Sequence, residues 1–154
     1  MRGVGREMRR QSFSLSETAE GAATALATAQ PQRAVSVVVQ PQMQAHADPG
    51  LVRAVLDNLI GNAWKFTGRT AEPKIEIGAC EERGATVYFV RDNGAGFDMH
   101  YAHKLFVPFQ RLHHTEEFDG TGIGLATVKK IVQRHGGRVW IESAVGAGTT
   151  VYFT

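Results

Sequence analysis

The period of the apolar positions changes several times along the chain, and each change marks an element. Between Pro49 and Phe66, the residues Val52, Val55, Leu56, Leu59, Ile60 and Ala63 recur at helical spacing, which predicts one long helix with a single buried face. Asp48 followed by Pro49 reads as its N-cap and first helical residue. From Gly122 to His135, Leu125, Val128, Ile131 and Val132 fall on one side, with Lys129, Lys130, Gln133 and Arg134 on the other. Gly136 stands where a C-terminal glycine stops a helix. An alanine-rich helix is predicted from about Ser16 to Ala29, serine-capped and closed by Pro31.

Elsewhere the period is two. "RAVSVVVQ" (33–40) reads as a strand, while "KIEIGAC" with "ATVYFVRD" and "RVWIES" with "TTVYFT" read as two hairpins. "SFS" (12–14) is a short extended piece and "PQMQAHADPG" (41–50) a loop. "DMHYAHKLF" (98–106) is expected to be a short helix, followed by the long polar segment "VPFQRLHHTEEFDG". Strands joined by hairpins and mixed with about four helices predict an α+β fold, a two-layer sandwich.

Composition narrows this picture little. The 154 residues suit one domain, and a formal charge of +2 gives no reason to expect nucleic acid or an anionic membrane surface as partner. The lone cysteine, Cys80, excludes an internal disulfide and fits a reducing compartment. No apolar run approaches the ~18 residues of a membrane span. "MRGVGREMRR" is basic but lacks a signal peptide's apolar stretch. Residues 1–12 therefore read as a linker and 13–154 as the domain, with the chain expected to be an excised piece.

The candidate chemistry lies in two glycine clusters and one helix face. In "GTGIGL" (120–125), Gly120, Gly122 and Gly124 alternate just before a helix. No Gly-Lys-Ser/Thr follows, so it is not a P-loop, and Leu125 occupies the third-glycine position of a dinucleotide fingerprint. What remains is a flexible segment entering a helix N-terminus, where unpaired N–H groups favour an anion, or glycines that merely shape a loop. "DNGAGF" (92–97) could be a plain turn. Alternatively, Asp92 at a strand end beside glycines could accept a hydrogen bond from the exocyclic amine of a flat base such as adenine. On the long helix, Asn58, Asn62 and Lys65 share one polar stripe. Asparagines are poor mid-helix residues. An amide oxygen can ligate Mg2+ when phosphates supply the other ligands, and lysine can meet the phosphate charge.

At this point the residues resemble a family. "NLIGNAWKFT" is similar to the N box of sensor histidine kinases and "DNGAGF" to their G1 box. "LFVPFQRLH" resembles the F box, "GTGIGLATVKKIVQRHGG" the G2 box with its helix, and "GAGTTVYF" the last glycine box. All five occur in order over about residues 50–154. The resemblance implies the Bergerat ATP-binding fold of gyrase and mismatch-repair ATPases, a mixed, mostly antiparallel sheet with helices on one face. It implies ATP and Mg2+, with Asn62 on the metal, Asn58 supporting it near the phosphates and Lys65 on phosphate. Asp92 would hold the adenine amine and Arg111 would reach the γ-phosphate. Gly120, Thr121, Gly122, Ile123, Gly124 and Leu125 would close over the triphosphate, with Phe106 and Phe109 positioning that lid. Phe66, Gly94, Gly96, Phe97 and Thr149 would complete the nucleotide contacts. "RLH" and "GRVWIES" look most like phytochrome-type kinases.

The same helix separates kinases from hydrolases. The hydrolytic relatives carry glutamate one turn before the magnesium asparagine, where this chain has Asn58, and an amide is no base at neutral pH. Asp57 is rotated off the stripe by roughly 100°. Phosphoryl transfer is thus expected, with a GHKL-type ATPase or a non-catalytic nucleotide-binding module as the alternatives. None of the six histidines (46, 100, 103, 113, 114, 135) fits the family's acceptor pattern. The acceptor would then lie on a separate dimerisation and histidine-phosphotransfer domain upstream, with a response regulator downstream and a cytoplasmic setting. This fragment alone is expected not to autophosphorylate.

Overall fold

Among the described residues, strand pairing supplies one layer and three helices the other. The computed structural model describes residues 7–99 and 123–154. In chain order these form β1 (Gln11–Ser14), α1 (Leu15–Ala29), β2 (Ser36–Val39), β3 (Gln44–Ala47), α2 (Pro49–Phe66), β4 (Lys74–Glu82), β5 (Ala85–Asp92), α3 (Ile123–Arg134), β6 (Val139–Ala144) and β7 (Gly148–Phe153). The main sheet has the order β2-β4-β5-β7-β6, and β1 pairs with β3 in a separate two-stranded ribbon. Among the described residues, β2 against β4 is the one parallel pairing of the main sheet and the others are antiparallel. The expected mixed, mostly antiparallel sandwich is therefore present.

The elements follow the sequence patterns with two differences. α1 begins at Leu15, because the Ser14 hydroxyl accepts from the Glu17 N–H and so caps the helix two residues earlier than expected. The stretch expected to be all loop contains β3, whose residues lie opposite β1 in the register Gln11–Ala47 to Ser14–Gln44. Gln, Ala, His and Ala have no strand propensity to advertise it; the pairing is a tertiary event. The expected helix over 98–106 and polar segment after it lie, from residue 100 to 122, outside the described residues.

The core sits between the layers. Leu15 and Ala19 of α1, Leu56, Leu59 and Ile60 of α2, and Val128 of α3 close on Ile75, Ile77, Val90 and Ile141 of the sheet. Every apolar position assigned inward on α2 and α3 is buried. Among the described residues no helix covers the opposite sheet face, where Phe89, Tyr152 and Trp140 form a ladder, the last two stacked at 5.3 Å. Arg91 lies over Phe89 at 4.5 Å and Arg138 over Trp140 at 4.4 Å, so the cation stems shield rings that would otherwise face water.

Asp48 ties three segments together. Its carboxylate accepts from Leu51 N–H at 3.1 Å and from Arg9 N–H at 3.0 Å. Its own N–H donates to His135 Nε2 at 3.2 Å, at the far end of α3. The other ring nitrogen faces Ile131 O at 2.9 Å, which assigns the proton to Nδ1. Asp48→Ala is expected to lower stability by about 1–2 kcal/mol, the usual cost of a lost N-cap. A urea midpoint unchanged from the parent chain would show that the cap contributes nothing.

Candidate nucleotide site

The C-terminal half of α2 and the end of β5 meet over the sheet. There a tight recess, with free space of only about 10 Å³, is lined by Leu59, Asn62, Ala63, Phe66, Val90, Asp92, Phe97, Leu125, Ile141, Thr149 and Val151. Six of these were expected from the sequence: Asn62, Phe66, Asp92, Phe97, Leu125 and Thr149. The others form its apolar floor and walls, matching the mostly apolar lining with few convergent polar groups that small ligands use.

Asp92 is the polar centre of the recess. It ends β5 on the core side, opposite Thr149 of β7, and is only 6% exposed. One carboxylate oxygen accepts the Gly94 N–H at 2.8 Å. Burial pushes its pKa up to about 6, against the lowering effect of hydrogen bonds from the Gly94 and Thr149 backbone. A buried carboxylate on an otherwise apolar wall is costly, and such groups concentrate at functional sites.

The glycine loop after Asp92 is clamped from two sides. Ala95 N–H donates to Phe66 O at the end of α2, and Gly146 N–H donates to Ala95 O at 2.7 Å. At Gly94 a Cβ would stand 2.4 Å from Phe66 O, so only glycine allows the loop this close to the helix. At Gly96, φ is +67°, and a Cβ would fall 2.0 Å from Ala144 O. Gly96→Ala is therefore expected to destabilise the domain by about 2 kcal/mol or more through strain and overlap together. Chemical denaturation gives the figure, and a loss below 0.5 kcal/mol, the ordinary surface range, would contradict the clamp.

Ser143 escaped the sequence reading. Its hydroxyl accepts from Phe97 N–H at 2.9 Å, donates to Gly148 O at 2.9 Å and lies 2.8 Å from Thr149 Oγ1. It thereby fixes Phe97 and Thr149 at the recess. The available signal was alternation: in "RVWIES", Ser143 shares the inward face with Val139 and Ile141.

Along α2, Asn58 and Asn62 are half-buried while Lys65 is exposed. Asn58 Nδ2 donates to Ala54 O at 2.9 Å, which aims its amide oxygen away from the helix's own backbone. Asp57 is exposed and pairs with Arg53 at 2.9 Å on a different face from the asparagines. Among the described residues no group of three or more His, Cys, Asp or Glu could hold a metal. Asn62, which lines the recess and carries an amide oxygen, fits a Mg2+ whose other ligands come from phosphate and water, and it does not fit an all-protein metal cage.

The expected site residues Phe106, Phe109, Arg111, Gly120, Thr121 and Gly122 lie outside the described residues, as does the side chain of Ile123, which with Gly124 begins α3. So do His100, His103, His113 and His114. Among the described residues no helix is long and apolar enough to cross a membrane.

Comparison with known proteins bears on the family and the fold. The family described as histidine kinase-, DNA gyrase B- and HSP90-like ATPase matches residues 47–154. Cyanobacterial phytochrome A of Nostoc sp. is 49% identical over 100 residues, 65% of this chain and 13% of that protein. Sensor histidine kinase WalK of Bacillus subtilis is 38% identical over 109 residues, 70% of this chain and 18% of the relative. The chain thus spans under a fifth of these relatives' length. In fold it is similar to the mycobacterial sensor histidine kinase MprB, with a TM-score of 0.74, 21% identity and coverage of 94% and 95% of the two chains. Full-length ShkA in complex with AMPPNP gives a TM-score of 0.78 at 24% identity, covering 96% of this chain and 31% of that one. With its Asp92 recess and clamped glycine loop inside the matched span, the chain belongs to the histidine kinase-, DNA gyrase B- and HSP90-like ATPase family, as a domain of the sensor histidine kinase type.

Proposed function

We propose that this domain binds ATP with Mg2+ and donates the γ-phosphoryl group to a histidine on a separate helical domain of a two-component sensor kinase. The observation that carries this reading is the recess itself, whose lining brings the buried Asp92 carboxylate and Asn62 together. Adenine enters against Phe66, Phe97 and the apolar floor, giving its exocyclic amine to the Asp92 oxygen that Gly94 leaves open. The phosphates then run along the asparagine stripe toward Lys65 and the N-terminus of α3. Asn62, supported by Asn58, holds Mg2+, which when bound neutralises phosphate charge. The bond from phosphorus to the β–γ bridging oxygen breaks, the bond to the acceptor imidazole nitrogen forms, and ADP leaves. The chain's contribution is positioning and charge compensation.

Transfer is favoured over hydrolysis because no carboxylate on the α2 stripe can activate water: Asp57 is turned outward onto Arg53. The test uses γ-labelled ATP with this chain, alone and with a separately produced acceptor domain from a phytochrome relative. Acid-labile label is expected on the acceptor domain only, with negligible free phosphate. Steady phosphate release without acceptor would replace this reading with an ATPase. Failure of a calorimetric titration to detect ADP would leave a module without nucleotide chemistry. A response regulator as the next recipient follows from the same reading.

A further inference from the structure

The carbonyl that receives the glycine loop, Phe66 O, lies in the last turn of α2. The residues flanking that turn are gripped by a side chain outside every glycine or asparagine motif. Arg33, just ahead of β2, sends Nη1 to Trp64 O and Nη2 to Thr67 O at 3.0 Å and Thr67 Oγ1 at 3.1 Å. Its guanidinium also lies 5.8 Å from the Trp64 ring centroid. Thr67 is fully buried, and its hydroxyl turns back toward Ala63 O and Trp64 O. Trp64 Nε1 is buried with no hydrogen-bond partner among the described residues, so packing and Arg33 fix that ring.

A cation at a helix C-terminus is ordinary, since it meets the negative end of the dipole. A single charge needs only one carbonyl for that. Arg33 instead spans the carbonyls of Trp64 and Thr67 with two different nitrogens, bracketing Lys65 and Phe66, a planar reach that a lysine's compact ammonium does not match. Between those fixed points sits Phe66, which lines the recess and whose carbonyl holds Ala95 N–H at 3.1 Å. We propose that Arg33 is a positioning residue of the nucleotide site, setting the Phe66 ring and the Gly94–Ala95 backbone against which the base packs. It never touches the ligand. This rests on the reading of the recess as a nucleotide site.

Arg33→Lys keeps the charge and the stem but loses the fork, and Thr67→Val removes one acceptor at nearly constant volume. Both are examined at 10 °C, where far-UV circular dichroism shows whether the chain is fully folded. Arg33→Lys is expected to weaken ADP binding about tenfold, the loss of roughly one charge-assisted bond. Exchange of the Ala95 amide should speed up by a similar factor, while the Ala147 amide, bonded to Ala144 O, keeps its rate. Thr67→Val should move both in the same direction by less. A lower melting temperature with unchanged ADP affinity and unchanged Ala95 exchange would reduce Arg33 to a helix cap and overturn the proposal. If the parent chain binds no ADP, the nucleotide reading falls on that result. The Ala95 exchange rate then still decides whether Arg33 holds the loop.

Discussion

Asp92→Asn is expected to weaken ADP binding by about 100-fold or more while making the free domain more stable at neutral pH. The binding loss has two parts. A charge-assisted hydrogen bond worth roughly 1.5–3 kcal/mol disappears, and the new amide N–H faces the amine of adenine, leaving two donors opposed. The stability gain has the opposite sign because the Asp92 carboxyl holds its proton more tightly in the folded chain, up to about 6 from an ordinary 3.8. Its contribution is complete below pH 4 and is lost as pH rises through 6. At pH 7 the ionised group costs the fold on the order of 3 kcal/mol, which a neutral amide avoids. Thermal melts between pH 4 and 8 should show the variant gaining on the parent as pH rises, and calorimetry should show the parent's ADP affinity falling below about pH 6. Phosphate titration is common to both chains, so only their difference counts. A variant that binds ADP like the parent would remove Asp92 from base recognition; one less stable at pH 7 would contradict the buried, strained carboxylate.

Asn62→Ala separates metal from base. The recess keeps Asp92, Phe66 and Phe97, so ADP binding in the presence of a chelator should change little. The increment that Mg2+ adds should fall by at least about tenfold, since even residues that only support a ligand contribute that much to metal affinity. Phosphoryl transfer to the acceptor domain should fall with it. Titrations with and without Mg2+ decide the matter: an equal loss in both would make Asn62 a packing residue of the recess.

The sequence carried the frame of this fold because its signals are local. The 3.6-residue stripe of α2, the Asp48-Pro49 start and the Gly136 stop all act within a few residues of where they are read. The two hairpins likewise announce themselves by alternation and by glycine turns. β3 was invisible because "QAHA" acquires its strand only by pairing with β1, thirty-odd residues earlier in the chain. Asn58, Asn62 and Asp92 were legible as candidates because each breaks a local rule: amides in mid-helix, and a carboxylate closing an apolar strand. Ser143 and Arg33 break no rule. Serine on a strand and arginine before one are unremarkable until folding brings them to Phe97 and to the end of α2.

The sequence by itself determined the periodicities, the caps and the residue types able to meet a base, a metal and a phosphate. Its motifs also carried the resemblance that named the family. Only the tertiary structure decided that Asp92 is buried, with one oxygen taken by Gly94 N–H, which sets its charge and its direction. It also decided that Gly94 and Gly96 are needed for lack of space against Phe66 O and Ala144 O, contacts between segments far apart in the chain. Periodicity reports which face a residue occupies. Burial, shared hydrogen bonds and close approach depend on which other faces arrive there.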